Sequence, residues 1–207
     1  RETSTLGMIR ENAFKNCAFA SFECPSTVAI IEQAVFSGCA ALEYIKLPFV
    51  GKSASATNQE SRFGYIFGTD QYTGGYSIPA GEGITTFCIP SVLETVVIET
   101  GIQNITIAGV AFEDCYSIKS LTIRNRNLTY TVTSIGEGAL KGCYGLEEIS
   151  VPFVGKNKTT TDPDESRFGY IFGKSSYGSV GTTTYSANGF YLPLSLTSVT
   201  ITGETKV

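Results

Sequence analysis

The 207-residue chain carries 15 Lys and Arg against 19 Asp and Glu, no histidine, 42% hydrophobic residues and a mean hydropathy of +0.08. The net charge of −4 leaves no basic footprint for nucleic acid, and no apolar run approaches the roughly 20 residues that a membrane helix needs. Without histidine the commonest general base and every Ser-His or Cys-His nucleophile pair are excluded.

From the N-terminus, a cassette of Ile, three residues, a small residue, an apolar residue, two residues and Cys first appears as Ile9/Ala13/Phe14/Cys17. It recurs as Ile31/Val35/Phe36/Cys39. Each is followed by an apolar-polar-apolar triplet, Phe22-Glu23-Cys24 and Ile45-Lys46-Leu47, the strand period with one face buried. A longer segment from Pro48 to Phe87 then carries Glu60–Gly68 (ESRFGYIFG) and a Tyr/Gly-rich stretch, and ends in Val96-Val97-Ile98 without a cysteine cassette. The order then starts again. Ile107/Ala111/Phe112/Cys115 and Ile135/Ala139/Leu140/Cys143 precede Leu121-Thr122-Ile123 and Ile149-Ser150-Val151, and the segment from Pro152 to Phe190 leads to Val199-Thr200-Ile201.

The nine residues of Glu60–Gly68 return unchanged as Glu165–Gly173, and Pro48-Phe49-Val50-Gly51-Lys52 as Pro152-Phe153-Val154-Gly155-Lys156, a displacement of about 104 residues. One unit is therefore stacked on its own copy. The expected division is a single solenoid of two tandem copies, about 1–104 and 105–207, with six coils in all. Within it Phe14, Phe36 and Phe112 are expected in an interior column, and Glu23, Lys46, Val97, Thr122, Ser150 and Thr200 in an outward row. Phe63, Tyr65 and Phe67, alternating with Gly64 and Ile66, read as a short strand that plugs the solenoid flank or offers an aromatic platform; Phe168, Tyr170 and Phe172 repeat it.

These residues resemble the BspA-like leucine-rich repeats, the Treponema-type variant found in bacterial and protozoan surface proteins. That repeat reads Ile-x3-Ala-Phe-x2-Cys-x2-Leu-x2-Ile-x-Ile-Pro, and Ile31–Pro48 and Ile135–Pro152 fit it almost position for position. The resemblance implies a leucine-rich-repeat solenoid that is right-handed and strand-rich, with a parallel β-sheet on one face and short turns or helices on the other, as in an α/β horseshoe. It also implies recognition at a cell surface, and supplies no ligand.

Four of the six cysteines share one repeat phase, so neighbouring coils would stack them about 4.8 Å apart with parallel side chains, a poor geometry for disulfides. Free buried thiols are expected, Cys24 included, with Cys88 pointing the other way. No cofactor or metal is expected. The counterpart of Asp162, Asp164 and Glu165 in the first copy is Asn58, Gln59 and Glu60, which loses two of the three carboxylates, and a solvated loop is the simpler reading. Glu23, Glu43, Glu94 and Glu147 are scattered singly, which gives no carboxylate pair and no enzyme.

The candidate contact residues lie after each conserved block, where the copies differ most: Asp70, Tyr72 and Tyr76 in the first, Tyr177, Tyr185 and Asn188 in the second. Tyr with Gly, Ser and Asn on a rigid scaffold is the composition of adaptable recognition loops, and equally of a linker back to the next coil. The expected function is a non-enzymatic module, extracellular or on the cell surface, that binds a protein or glycan of another cell or matrix. The alternative is a structural array assembling end to end, because Val199-Thr200-Ile201 stops where another cassette is due; on that reading the chain is a segment of a longer array. Sequons at Asn104, Asn127 and Asn157 do not fix the source.

Overall fold

The computed structural model of the chain describes residues 6–81, 85–175, 182–184 and 189–203. Each coil contributes one strand to a six-stranded parallel sheet: β2 (Ser21–Glu23), β4 (Tyr44–Leu47), β7 (Thr95–Glu99), β9 (Ser120–Arg124), β11 (Glu148–Val151) and β14 (Ser198–Ile201), side by side in chain order. Short parallel pairs form where coils enter, β1 (Met8–Ile9) with β3 (Ile30–Ile31) and β8 (Ile105–Ile107) with β10 (Val132–Ile135). Two antiparallel hairpins interrupt the array, β5 (Gly75–Pro79) with β6 (Thr86–Pro90) and β12 (Thr182–Thr184) with β13 (Tyr191–Pro193). This is the architecture of a leucine-rich-repeat solenoid.

Inward positions of the sheet are filled by β-branched residues and leucine, whose side chains pack well on a pleated surface. Ile45, Val96, Leu121 and Ile149 form one buried column, and Leu47, Ile98, Ile123 and Val151 the next. The outward residues pair in one unbroken row, Glu23–Lys46–Val97–Thr122–Ser150–Thr200. Parallel sheets are usually covered on both faces. Here the outer face meets water and is held by polar pairs: Lys46 Nζ lies 2.9 Å from Glu99 Oε1, and Arg124 Nη2 lies 2.6 Å from Glu99 Oε2.

Opposite the sheet, the cassettes make tight turns joined from coil to coil by backbone hydrogen bonds, such as Phe14 N–H to Val35 C=O at 2.9 Å and Phe112 N–H to Ala139 C=O at 2.8 Å. The turn requires a left-handed residue at two places. The first is taken by Asn12, Ala34, Val110 and Gly138, with φ of 60°, 59°, 56° and 64°. The second is taken by Asn16, Gly38, Asp114 and Gly142, at 60°, 74°, 59° and 79°. Gly38 and Gly142 are small for a further reason: a Cβ there would collide with the side-chain oxygen of Asn16 or Asp114 in the preceding coil.

The conserved block departs from the expected strand. Phe63–Ile66 and Phe168–Phe172 are 3₁₀ turns, because the block does the work of the missing cassette. Ala34 N–H donates to Tyr65 C=O at 3.1 Å, Phe36 N–H to Ile66 C=O at 2.9 Å, and Phe63 N–H to Ala111 C=O at 2.8 Å. The aromatic column then runs without a gap: Phe14–Phe36 at 5.6 Å, Phe36–Phe67 at 5.9 Å, Phe67–Phe63 at 5.4 Å and Phe63–Phe112 at 5.0 Å between centroids. Phe36, Phe63, Phe67 and Phe112 are fully buried, whereas Phe14, in the first coil, is half-buried. Gly64 must lack a side chain because Phe87 lies directly on it, and Phe190 does the same to Gly169.

All six cysteines are free thiols. The sulfur of Cys39 points at the Phe14 carbonyl, 3.0 Å away, and that of Cys143 at the Phe112 carbonyl, 3.1 Å away, so each thiol is spent on the backbone of the preceding coil. Burial pushes the Cys24 thiol up to about 12 and raises Cys115 well above its ordinary value. Cys88 does point away from the core cluster that takes Phe87 and Ile89, but it is no more accessible than the others. It is fully buried because hairpin strand β5 covers it, its sulfur packing on Gly75; the half-exposed thiol is Cys17.

Candidate functional site

The stretch after the first conserved block is a strap that crosses coils. Thr69, Asp70, Gln71, Thr73 and Gly74 are exposed at its tip, and Tyr72 between them turns inward. At one end Asp70 Oδ2 accepts from Lys15 Nζ of the first coil at 2.8 Å, which holds the Asp70 carboxyl below its ordinary value. Further along, the turn at Gly74 accepts from both the N–H and the hydroxyl of Ser91, at 2.8 and 2.9 Å. At the other end Tyr76 reaches the fourth coil, its hydroxyl 3.0 Å from Ser117 Oγ and 3.2 Å from the Ser117 N–H.

Two tyrosines fix the strap. Tyr72 donates to the Cys88 carbonyl at 3.4 Å, and Tyr76 lies 4.0 Å from the Tyr116 ring, which in turn stacks on Tyr144 at 5.1 Å. Burial raises the phenol pKa of both Tyr72 and Tyr76, so both stay neutral and act as anchors. Of the residues expected to contact a ligand, Asp70 is thus exposed and Tyr72 and Tyr76 have their hydroxyls turned to the protein. Tyr177, Tyr185 and Asn188 lie outside the described residues. Reading loop by loop missed the half-buried ladder of Tyr116 and Tyr144 beside the strap. Its signal was present: both follow the cassette cysteine, where the first two coils carry Ala18 and Ala40.

A cleft of about 740 Å³ lies between the polar segment 57–62 and the turn 108–110. Its charged wall is committed. Arg62 Nη1 is 2.8 Å from Glu113 Oε2, whose other oxygen is 2.7 Å from Lys141 Nζ. Burial alone would raise the Glu113 carboxyl, but the hydrogen bonds from Lys141 and Arg62 outweigh it and hold the group below its ordinary value. In the 157–167 loop Asp162 Oδ1 accepts from the N–H groups of Asp164 and Glu165, while Glu165 pairs with Lys156 and Asp164 with Lys174, each at 2.7 Å. Among the described residues no cluster of three or more Cys, Asp and Glu is placed to hold a metal. Two sequon asparagines serve local turns, Asn127 Oδ1 accepting from Thr129 and Tyr130 and Asn157 Oδ1 from Thr159 and Thr160, whereas Asn104 Oδ1 accepts from the Thr131 N–H of the next coil at 2.8 Å. What the strap presents to solvent is a set of hydroxyl, amide and carboxylate groups on a backbone anchored to the coils.

Comparison with known proteins agrees with this frame. The family model described as a BspA type leucine rich repeat region matches residues 4–58 and 84–206, in six copies. The stretch left between these matches holds the first conserved block and most of the strap. No curated protein matches the chain. A solved leucine-rich repeat protein from Bacteroides ovatus is 19% identical over 96% of this chain, with a TM-score of 0.26; the chain spans about half, 49%, of its length.

Proposed function

The chain belongs to the BspA-type leucine-rich-repeat family, repeat modules of protein interaction, and from that premise we propose that it is an extracellular or surface-borne binding module that recognises a protein or glycan of another cell or matrix. The observation that carries this reading is the strap. Its tip presents Asp70, Gln71 and Thr73 to solvent while Tyr72 and Tyr76 pin the backbone beneath them, so binding pays little further ordering entropy. The corresponding loop with Tyr177, Tyr185 and Asn188 is proposed as the second contact element. No part of this reading requires catalysis.

An array of immobilised matrix proteins and glycans tests it. The wild-type chain should show at least one saturable partner, and changing Asp70, Gln71 and Thr73 together to Ala should weaken that binding at least about tenfold, the effect of losing a small hot spot. Binding that never saturates, or that ignores the tip substitutions, would sink the proposal.

A second reading, assembly of copies end to end, is favoured by the apolar residues of the last coil, Leu194, Val199 and Ile201, which are 61%, 47% and 43% exposed. Contacts of this head-to-tail kind propagate when they do not close. Light scattering over a range of concentrations would reveal the growth that this reading demands.

A further inference from the structure

At the corner where β2, β4, β7 and β9 end, a pocket of about 320 Å³ gathers residues from four successive coils. It is lined by Ser26 and Thr27 of the first, Lys46 and Pro48 of the second, Glu99 of the third and Arg126 of the fourth. Lys46 Nζ lies 2.9 Å from Glu99 Oε1 and 3.8 Å from Glu23 Oε2, and an ammonium has three N–H donors, so one is left over. The other oxygen of Glu99 is taken by Arg124. The Arg126 guanidinium has no partner among the described residues. Lys46, Arg124 and Arg126 against Glu23 and Glu99 leave a local charge of +1 in a chain of −4. The second copy has Ser150 in the place of Lys46, so this charge is a property of one corner and not of the repeat.

Arg126 stands on a loop built to hold it. The coil from Ile107 to Ile135 is longer than the coil from Ile9 to Ile31, and most of the extra length falls in residues 124–131. The loop is pinned to its neighbour. Arg126 N–H donates to Thr100 Oγ1 at 2.9 Å, the buried Thr100 hydroxyl donates to the Tyr130 carbonyl at 2.8 Å, and Asn125 Oδ1 accepts from the Val132 N–H at 2.8 Å. Leu128 in this loop and Ile102 in the adjoining one are 61% and 46% exposed. We propose that this corner is a further contact site of the chain, and that it takes an acidic side chain of a partner protein flanked by apolar residues. The incoming carboxylate pairs with the Arg126 guanidinium, whose planar fork matches it, in a pocket that the spare donor of Lys46 also faces. Leu128 and Ile102 lie against the apolar flanks. An acidic glycan would meet the same cations but would set its hydroxyl groups against these two aliphatic side chains, which favours a protein. The proposal rests on the reading of the chain as a binding module, and not on the strap as its contact element.

Panning a library of random dodecapeptides on the full chain tests the site. Enriched peptides are then titrated by fluorescence polarisation against wild type, Arg126→Gln, Leu128→Ser and the variant with Asp70, Gln71 and Thr73 changed to Ala. Arg126→Gln keeps the backbone N–H that Thr100 accepts, so the loop stays in place. The expected result is a shared Asp or Glu beside apolar residues in the enriched peptides. Their binding should weaken at least about tenfold with Arg126→Gln and about threefold with Leu128→Ser, and should be unchanged in the strap-tip variant. No enrichment, enrichment without an acid, or indifference to Arg126→Gln overturns the proposal. Binding lost in the strap-tip variant but kept in Arg126→Gln also overturns it, while leaving the strap reading intact. Dextran sulfate and polygalacturonate are titrated alongside; Arg126-dependent binding of either, with no peptide bound, assigns the corner to acidic glycans and refutes a protein partner.

Discussion

At the scale of single residues, the turn geometry sets a demand that the side chains meet unequally. The first left-handed position is held by Asn12 and Gly138, which tolerate it, and by Val110, a β-branched residue for which φ of 56° is strained. The same backbone recurs in all four cassettes, so this strain belongs to the repeat and not to a ligand site. Val110→Asn should relieve it and raise stability by about 1 kcal/mol, the lower end of the cost of such conformations, measured as a rise in the urea midpoint. A second residue-scale expectation concerns the thiols. Cys17, the half-exposed one, should be labelled first by a maleimide in the native chain, with Cys39, Cys88, Cys115 and Cys143 protected until unfolding; labelled-peptide mass spectrometry reads the order.

Among elements, the strand rows were legible because alternation in Ile45-Lys46-Leu47 or Leu121-Thr122-Ile123 has no other cheap explanation, and the pairing follows it residue for residue. The conserved block was not. Phe-Gly-Tyr-Ile-Phe alternates on paper, yet Gly64 has to sit under Phe87 and the backbone carbonyls of Tyr65 and Ile66 must meet the second coil, which a 3₁₀ turn provides and a strand does not. Nor does periodicity say that β5 lies over Cys88, since hairpin placement depends on long-range contacts. Composition singled out the strap residues as candidates, whereas their anchoring through Ser117 and Tyr116 depends on contacts about 40 residues apart in the chain, which no local pattern carries. Between elements the Arg62–Glu113–Lys141 cluster carries a pH dependence whose sign is fixed. The Glu113 carboxyl is held below its ordinary value, so its contribution is present at neutral pH and is lost as pH falls through the depressed value. Glu113→Gln should cost about 1.5–3 kcal/mol at pH 7 and flatten the acid side of a plot of melting temperature against pH.

For the whole molecule, stability in a solenoid is close to a sum of coil terms and nearest-neighbour interfaces. Amide exchange should therefore be graded along the sheet. Val96–Ile98, enclosed on both sides by β4 and β9, should be among the slowest amides, and Val199–Ile201, paired among the described residues to β11 alone, among the fastest in any strand of the sheet; hydrogen exchange read by mass spectrometry measures both. The strap breaks the nearest-neighbour rule. By tying Lys15 in the first coil to Ser117 in the fourth, it spans three coil boundaries with one short piece of chain. Under tension a plain stack of coils peels from an end, each coil yielding alone at a low force. Here the third coil, which carries the strap, cannot part from the fourth until Tyr76 has let go of Ser117 and Tyr116, whereas the exposed Lys15–Asp70 pair adds little to the hold on the first coil, so load that reaches the strap is shared across that boundary and the middle of the array should resist peeling more than its repeat period suggests.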